Sequence, residues 1–257
     1  MAVQRDKFSF KRYEKKYFLT PDKANLLLNY MMPYMKQDEY GKYTICNIYY
    51  DTDSFGLIRN SIEKPVYKEK LRVRSYGTPA NDSKVFIEIK KKYDGVVYKR
   101  RITTRADQVE AYLNGYVEDE KNAQIRKEIL YFQNMYRSKP KVFIGYDRLA
   151  FAGIEDPELR ITFDTNLRYR ANYLDLRYGD KGLPIINDDR VLMEIKIPGT
   201  CPLWLSHLLD GLEIRPISFS KYGTCYKNYI LPYTIGAYSK QNSYVAAGVS
   251  KEAYAYV

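Results

Sequence analysis

The sequence predicts an α+β domain, and three observations carry that prediction. Eight runs show period-two alternation of apolar and charged residues, the mark of strands with two unlike faces. Six runs between them read as helices with apolar stripes. No tandem repeat and no Gly/Ser-rich linker divides the chain, so residues 1–231 read as one domain. Residues 232–257 hold five Tyr, few charges and no clear period, and read as a loosely attached tail.

In chain order the strands fall at 8–19, 43–51, 66–76, 84–92, 95–104, 141–151, 158–170 and 190–197. The helices fall at 21–35, 54–62, 105–115, 121–138, 201–211 and 219–230. Thr20 before Pro21 fits an N-cap followed by a first-turn proline. Asp53 is placed to cap the helix at 54. Asp94-Gly95 between two strong strands signals a tight hairpin. Leu26, Leu27, Tyr30 and Met31, and then Ile125, Ile129, Phe132 and Met135, supply helical stripes to cover the apolar strand faces.

The other strand faces are unusual. Lys68, Lys70, Arg72 and Arg74 share one face of the third strand, and Glu88, Lys90 and Lys92 one face of the fourth. Lys99 and Arg101 share a face, as do Tyr146 and Arg148. Arg160, Thr162, Asp164, Asn166, Arg168 and Arg170 follow in the seventh strand, with Asp164 expected to pair with Arg160 or Arg168. Glu194 and Lys196 alternate with Met193, Ile195 and Ile197. Arg12, Glu14 and Lys16 share a face of the first strand. A solvated outer face is the plain alternative. Against it, like charges at neighbouring same-face positions destabilise a sheet unless an anion compensates them.

Composition narrows the function classes. The chain has 257 residues, 42 Lys+Arg against 31 Asp+Glu, and a formal charge of +11. The 45% hydrophobic content supports a packed core. One His excludes any mechanism that needs two, and His207 reads as a surface helix residue. Three Cys without zinc spacing argue against a disulfide framework and fit a reducing, cytoplasmic compartment; Cys46 reads as packing. No GxxxxGK[ST] loop occurs, no run is long enough to span a membrane, and the N-terminus has no apolar targeting core.

The ordered motifs resemble the VTC domain, the polyphosphate polymerase domain of the triphosphate tunnel metalloenzyme (CYTH-like) superfamily. They are FKRYEKKY at 10–17, IYYDTD at 48–53, KLRVRSYG at 70–77, FIEIK at 86–90, KRR at 99–101, YDR at 146–148, RITFDT at 160–165, MEIK at 193–196 and FSKY at 219–222. The resemblance covers about residues 8–230. Arg12-x-Glu14-x-Lys16 stands where the wider superfamily often has Glu-x-Glu-x-Lys. Ser218 stands where some relatives have a second basic residue before Lys221.

The resemblance implies an antiparallel eight-stranded tunnel barrel with a charged interior, flanked by helices. It implies catalytic roles for Arg72, Arg74, Lys90, Arg148 and Lys196, and phosphate contacts for Lys16, Lys70, Lys99, Arg101, Arg160 and Lys221. It implies a Mn2+ or Mg2+ ion, with Glu194 as the chief ligand and Glu14 and Glu88 as further candidates. The expected reaction is transfer of the γ-phosphoryl group of ATP to a growing inorganic polyphosphate chain that leaves by the far mouth. An inorganic or organic triphosphatase, and a non-catalytic module for polyphosphate or nucleic acid, stand as alternatives. The expected partners are ATP and polyphosphate, with no nucleic acid; a membrane-associated partner is left open. The chain is expected to be a free-standing member without the regulatory domain and anchor of eukaryotic relatives. The inward faces carry fifteen Arg and Lys against four carboxylates, an excess equal to that of the whole chain.

Overall fold

The computed structural model describes residues 12–233. Its elements are β1 (Arg12–Leu19), α1 (Pro21–Met31), β2 (Met35–Asp51), α2 (Gly56–Ile62), β3 (Tyr67–Tyr76), β4 (Lys84–Tyr93) and β5 (Val96–Arg105). There follow α3 (Val109–Leu113), α4 (Ala123–Tyr136), β6 (Lys139–Gly153), β7 (Arg160–Arg170), a short β8 (Leu183–Pro184) and β9 (Val191–Pro198). The last are α5 (Leu203–Gly211) and α6 (Lys221–Cys225), the latter continued by a π-turn at Tyr226–Ile230. The 232–257 tail lies outside the described residues apart from its first two positions.

The strands form one antiparallel sheet in the order β1-β9-β7-β6-β2-β3-β4-β5, with β8 beside β7. Flat, such a sheet would hold β1 and β4 about 30 Å apart, at ~4.8 Å per strand. Instead Glu14 on β1 senses the charge of Lys90 on β4, and Lys70 on β3 senses Lys16 on β1. The sheet therefore curls, bringing β1 toward β3 and β4. Among the described residues no ladder joins β1 to β5.

Local chemistry explains most boundaries. Thr20 accepts from the Lys23 N–H at 3.3 Å, and Pro21 opens α1. Pro33 and the buried Met35 end the helix early, so residue 35 belongs to β2 and not to the predicted 21–35 helix. Asp94 and Gly95 take φ of 43° and 81°, as a two-residue turn between antiparallel strands requires. Asp53 does not cap α2; it is exposed and pairs with Lys139 and Lys141. The capping acceptors are Thr52 Oγ1 for the Gly56 N–H, and the fully buried Asp51 carboxylate for Leu57 and Ile58.

Three apolar clusters hold the sheet. On its convex side α1 and α5 (Leu27, Met31, Leu205, Leu209) cover β1, β9 and β7. On the same side α3 and α4 (Tyr112, Leu113, Ile129, Phe132) cover β3, β4 and β5. Leu26, Tyr30 and Met135 fall off these stripes and are 44%, 62% and 61% exposed, against expectation. The third cluster lies on the concave side. Ile58 of α2 and Tyr222, Cys225, Tyr226 and Ile230 of the C-terminal turns pack on Ile45, Tyr49, Val142, Ile144, Tyr146, Tyr169 and Leu192. The concave side is thus partly filled and not charged throughout, as alternation alone suggests.

One irregularity corrects the predicted inward face. Asn166 adopts φ of 51°, and the β6–β7 register slips between Gly145 and Asp147. The extra residue reverses the alternation of β7. Leu167 and Tyr169 then join the concave cluster, and Arg168 and Arg170 point to the convex side. Arg170 lies 3.8 Å over the Phe143 ring and donates to the carbonyls of Tyr173, Asp175, Gly179 and Lys181. No helix of the described residues is long and apolar enough to cross a membrane.

Candidate functional site

The ladders place the charged side chains on one concave surface. Glu14 pairs with Lys196 and Lys16 with Glu194 between β1 and β9, and Arg160 pairs with Lys196 between β7 and β9. Arg148 opposes Asp164 on one side and Tyr43 on the other. Arg74 opposes Asn47 and Phe86, and Arg72 opposes Tyr49 and Glu88. Lys70 opposes Lys90, which opposes Lys99, and Glu88 opposes Arg101. Every residue predicted for phosphate or metal occupies this surface. Lys221 reaches it from the first turn of α6.

Three carboxylate groups organise the cations. Glu88, 2% exposed, accepts from Arg72 Nε at 2.7 Å and lies 2.9 Å from Lys99 Nζ and 3.7 Å from Arg74 Nε. Burial opposes its charge, but Arg72, Arg74 and Lys99 hold its pKa down at about 2. Arg74 also donates from Nε to Asn47 Oδ1 at 3.0 Å. Asp164 is fully buried and takes a two-pronged grip from Arg148, Nε at 2.6 Å and Nη2 at 2.8 Å. Lys221 Nζ adds a third contact at 2.7 Å. The expected partners Arg160 and Arg168 are not those that bind it: Arg160 stands 4.0 Å from Asp38, and the bulge turns Arg168 toward Asp147 and Asp180.

The third group is the pair of candidate metal carboxylates. Lys16 Nζ stands 3.0 Å from Glu14 Oε1 and 3.9 Å from Glu194 Oε2, and Lys196 Nζ is 3.2 Å from Glu194 Oε1. Burial works against the Glu14 charge, yet Lys16, Lys90 and Lys196 keep its pKa at about 2. Among the described residues no three His, Cys, Asp or Glu converge as a complete metal cage. Two hard carboxylates beside a wall of Arg and Lys fit a Mg2+- or Mn2+-type ion, which takes one or two carboxylates and completes its shell with other oxygens and water. Glu88 is engaged by Arg72, Arg74 and Lys99, as Glu14 is by Lys16 and Glu194 by Lys16 and Lys196.

Sequence reasoning missed Tyr49. Its hydroxyl accepts from Arg72 Nη1 at 3.1 Å, and its ring stacks on Tyr222 at 4.9 Å. Tyr222 in turn donates to Asp51, the cap of α2, at 2.9 Å. Burial alone would raise the Tyr49 pKa, but Arg72 and Lys70 bring it down to about 8. Lys70 is itself lowered to about 8, first by burial and then by Lys68, Lys90 and Lys16. The signal available in the sequence was the Tyr43-Ile45-Asn47-Tyr49 alternation, three side chains with polar groups on one face of a strand whose other face carries Cys46 and Ile48.

A family model for the VTC domain matches residues 11–230. Vacuolar transporter chaperone complex subunit 4 of Trypanosoma brucei brucei is 27% identical over 216 residues, 69% of this chain and 27% of that protein. The Schizosaccharomyces pombe subunit of the same name is 23% identical over 265 residues, 83% of this chain and 37% of that protein. The chain thus spans well under half the length of these curated relatives. Among solved structures, a Bacillus halodurans protein whose name marks it as a candidate adenylate cyclase aligns with TM-score 0.48 and 14% identity. That alignment covers 80% of this chain and 92% of that one. The PH1819 protein of Pyrococcus horikoshii aligns with TM-score 0.41 and 11% identity, over 82% and 95%. With the motifs in order and the match running nearly the length of the described sheet, the chain belongs to the VTC domain family.

Proposed function

We propose that this VTC domain is a polyphosphate polymerase, transferring the γ-phosphoryl group of ATP to a growing inorganic polyphosphate chain. The observation that supports it most is the charge imbalance of the concave surface. Lys16, Lys68, Lys70, Arg72, Arg74, Lys90, Lys92, Lys99, Arg101, Arg148, Arg160, Lys196 and Lys221 stand against Glu14, Glu88, Asp164 and Glu194. A surface with so large an excess is stable when a polyanion neutralises it.

In this reading Arg72 and Arg74, two residues apart on β3, present their forks about 7 Å apart and grip phosphates that are not immediate neighbours. Glu88 and Asn47 hold those forks in place. Lys70, Lys90 and Lys99 line the continuation of the track, and Arg148, anchored by Asp164, faces it from β6. Glu14 and Glu194 would hold Mn2+ or Mg2+, which when bound supplies Lewis-acid charge to the β- and γ-phosphates. A terminal oxygen of the polymer, already anionic, forms the new P–O bond to the γ-phosphorus. The bond from that phosphorus to the β–γ bridging oxygen breaks, and ADP leaves with that oxygen. No general base is required, so positioning and charge suffice, with Lys196 and Arg160 beside the reacting group.

The test is incubation of the protein with ATP and Mn2+. Acid-precipitable phosphate polymer, which Glu194→Gln makes only at higher Mn2+, is the expected product. Orthophosphate without polymer would replace this reading by the triphosphatase. Binding without turnover would leave a polyanion-binding module.

A further inference from the structure

Beyond the cation track, the same concave surface ends in a run of aromatic rings that the phosphate chemistry does not use. Tyr76 lies one alternation past Arg74 on β3, about 7 Å further along the same face. Its ring is fixed from two sides by edge-to-face contacts, Tyr43 at 5.7 Å and 65° and Phe86 at 5.8 Å and 80°. Tyr40 meets Tyr43 at 6.4 Å, and Arg101 covers Phe86 at 4.8 Å. Beyond the strand end, Gly77 takes φ of 70° and donates its N–H to Thr44, tying this corner to β2. Yet Tyr76 is 53% exposed and Tyr40 72%. A ring held rigidly but left half open, next to a phosphate track, is a preformed stacking surface. Tyr43 links the two regions, since it stands across the ladder from Arg148.

We propose that Tyr76, braced by Tyr43 and Phe86, is the platform on which the nucleobase of the donor nucleotide stacks. The inference rests on the reading of ATP as donor and adds where its base is held. Arg74 and Arg101, adjoining the platform, then meet the phosphates nearest the nucleoside, and Lys70 and Lys90 those further along. Stacking recognises a π-face and not a pattern of donors and acceptors, so the site discriminates bases weakly and favours the larger purine surface.

The test compares binding of ATP with that of tripolyphosphate, which has the phosphates and no base, in the wild type, Tyr76→Ala and Tyr76→Phe. The expected result is a loss of about tenfold in ATP affinity for Tyr76→Ala, the order of one base stack. Tripolyphosphate affinity should be unchanged, and Tyr76→Phe should bind ATP as the wild type does. Equal loss for both ligands, or loss for neither, overturns the platform while the polymerase reading stands. A wild type that binds neither ligand overturns both. Tyr76-dependent binding of a single-stranded oligonucleotide, with ATP binding unaffected by Tyr76→Ala, also overturns it, since the base would then come from a nucleic acid.

Discussion

Arg148 holds Asp164 through two N–H donors, at 2.6 and 2.8 Å, and Asp164 has no exposure to solvent. This pair anchors the β6 side of the cationic surface, with Lys221 as the third member. Removing the acid's charge leaves two largely buried cations without their carboxylate partner. Asp164→Asn should therefore destabilise the domain by about 3–5 kcal/mol. The expected fall in melting temperature is about 10 °C. Thermal denaturation followed by circular dichroism checks it, and a shift near zero would show that Arg148 finds another acceptor.

Acid should weaken the fold through Glu88. Its folded pKa of about 2 lies below the ordinary 4.5, so its stabilisation is complete above the ordinary value and is lost as pH falls from about 5 toward 2. The loss should be a few kcal/mol. Urea unfolding at pH 6 and pH 3 measures it, and Glu88→Gln should flatten the difference between the two.

Alkali should loosen the grip on phosphate. Lys70 loses its charge and Tyr49 gains one as pH passes about 8. Both changes make the wall less positive. Tripolyphosphate affinity should fall above pH 8, by up to about tenfold per pH unit for each proton linked to binding. Titration calorimetry from pH 7 to 9 reads this, and Lys70→Met should show a shallower slope from a weaker start.

The bulge at Asn166 separates arginines that look alike in sequence. Arg72→Lys should weaken tripolyphosphate binding strongly, because an ammonium cannot reproduce the fork that reaches Glu88, Tyr49 and the ligand together. Arg170→Ala should leave binding intact and lower only thermal stability, through the loss of four carbonyl contacts. Equal effects of the two on affinity would put Arg170 back on the concave face.

The carboxylates proposed to hold the metal make a separate expectation. Glu194→Gln should raise the Mn2+ concentration needed for half-maximal polymer synthesis by about tenfold or more, one ligand lost from a small set. Protein melting should change little, since Lys16 keeps Glu14 as a partner. Unaltered metal dependence would remove Glu194 from the ion's shell.

Much of this was legible because alternation is a local property. Arg72, Arg74, Glu88 and Lys90 could be assigned to one face by counting in twos, and the ladders confirm those faces. Thr20 and Asp94-Gly95 were legible because caps and tight turns depend on a few adjacent residues. Three things were not. A bulge breaks the count without any strong residue signal, so Arg168 and Arg170 were misassigned. Asp51 is a capping acceptor from inside a strand, six and seven residues before the N–H groups it serves, and nearby Asp53 was the more obvious choice. The C-terminal plug depends on Tyr222 and Tyr226 meeting β2 and β6 across the whole chain, a contact no local pattern encodes.

The single added residue at Asn166 has a consequence for how such a domain can change over time. Deleting it would swap the two sides of the end of β7 at one stroke. Two guanidinium groups would enter the hollow, and Leu167 and Tyr169 would be thrust onto the outside, uncoupling the ring stack of Tyr169 on Tyr229 that seats the C-terminal turn. No substitution achieves this, and no gradual route leads to it. The length of β7 is therefore under tighter restraint than the identity of most of its side chains, and relatives that differ here should differ by whole residues gained or lost together with a rebuilt C-terminal turn.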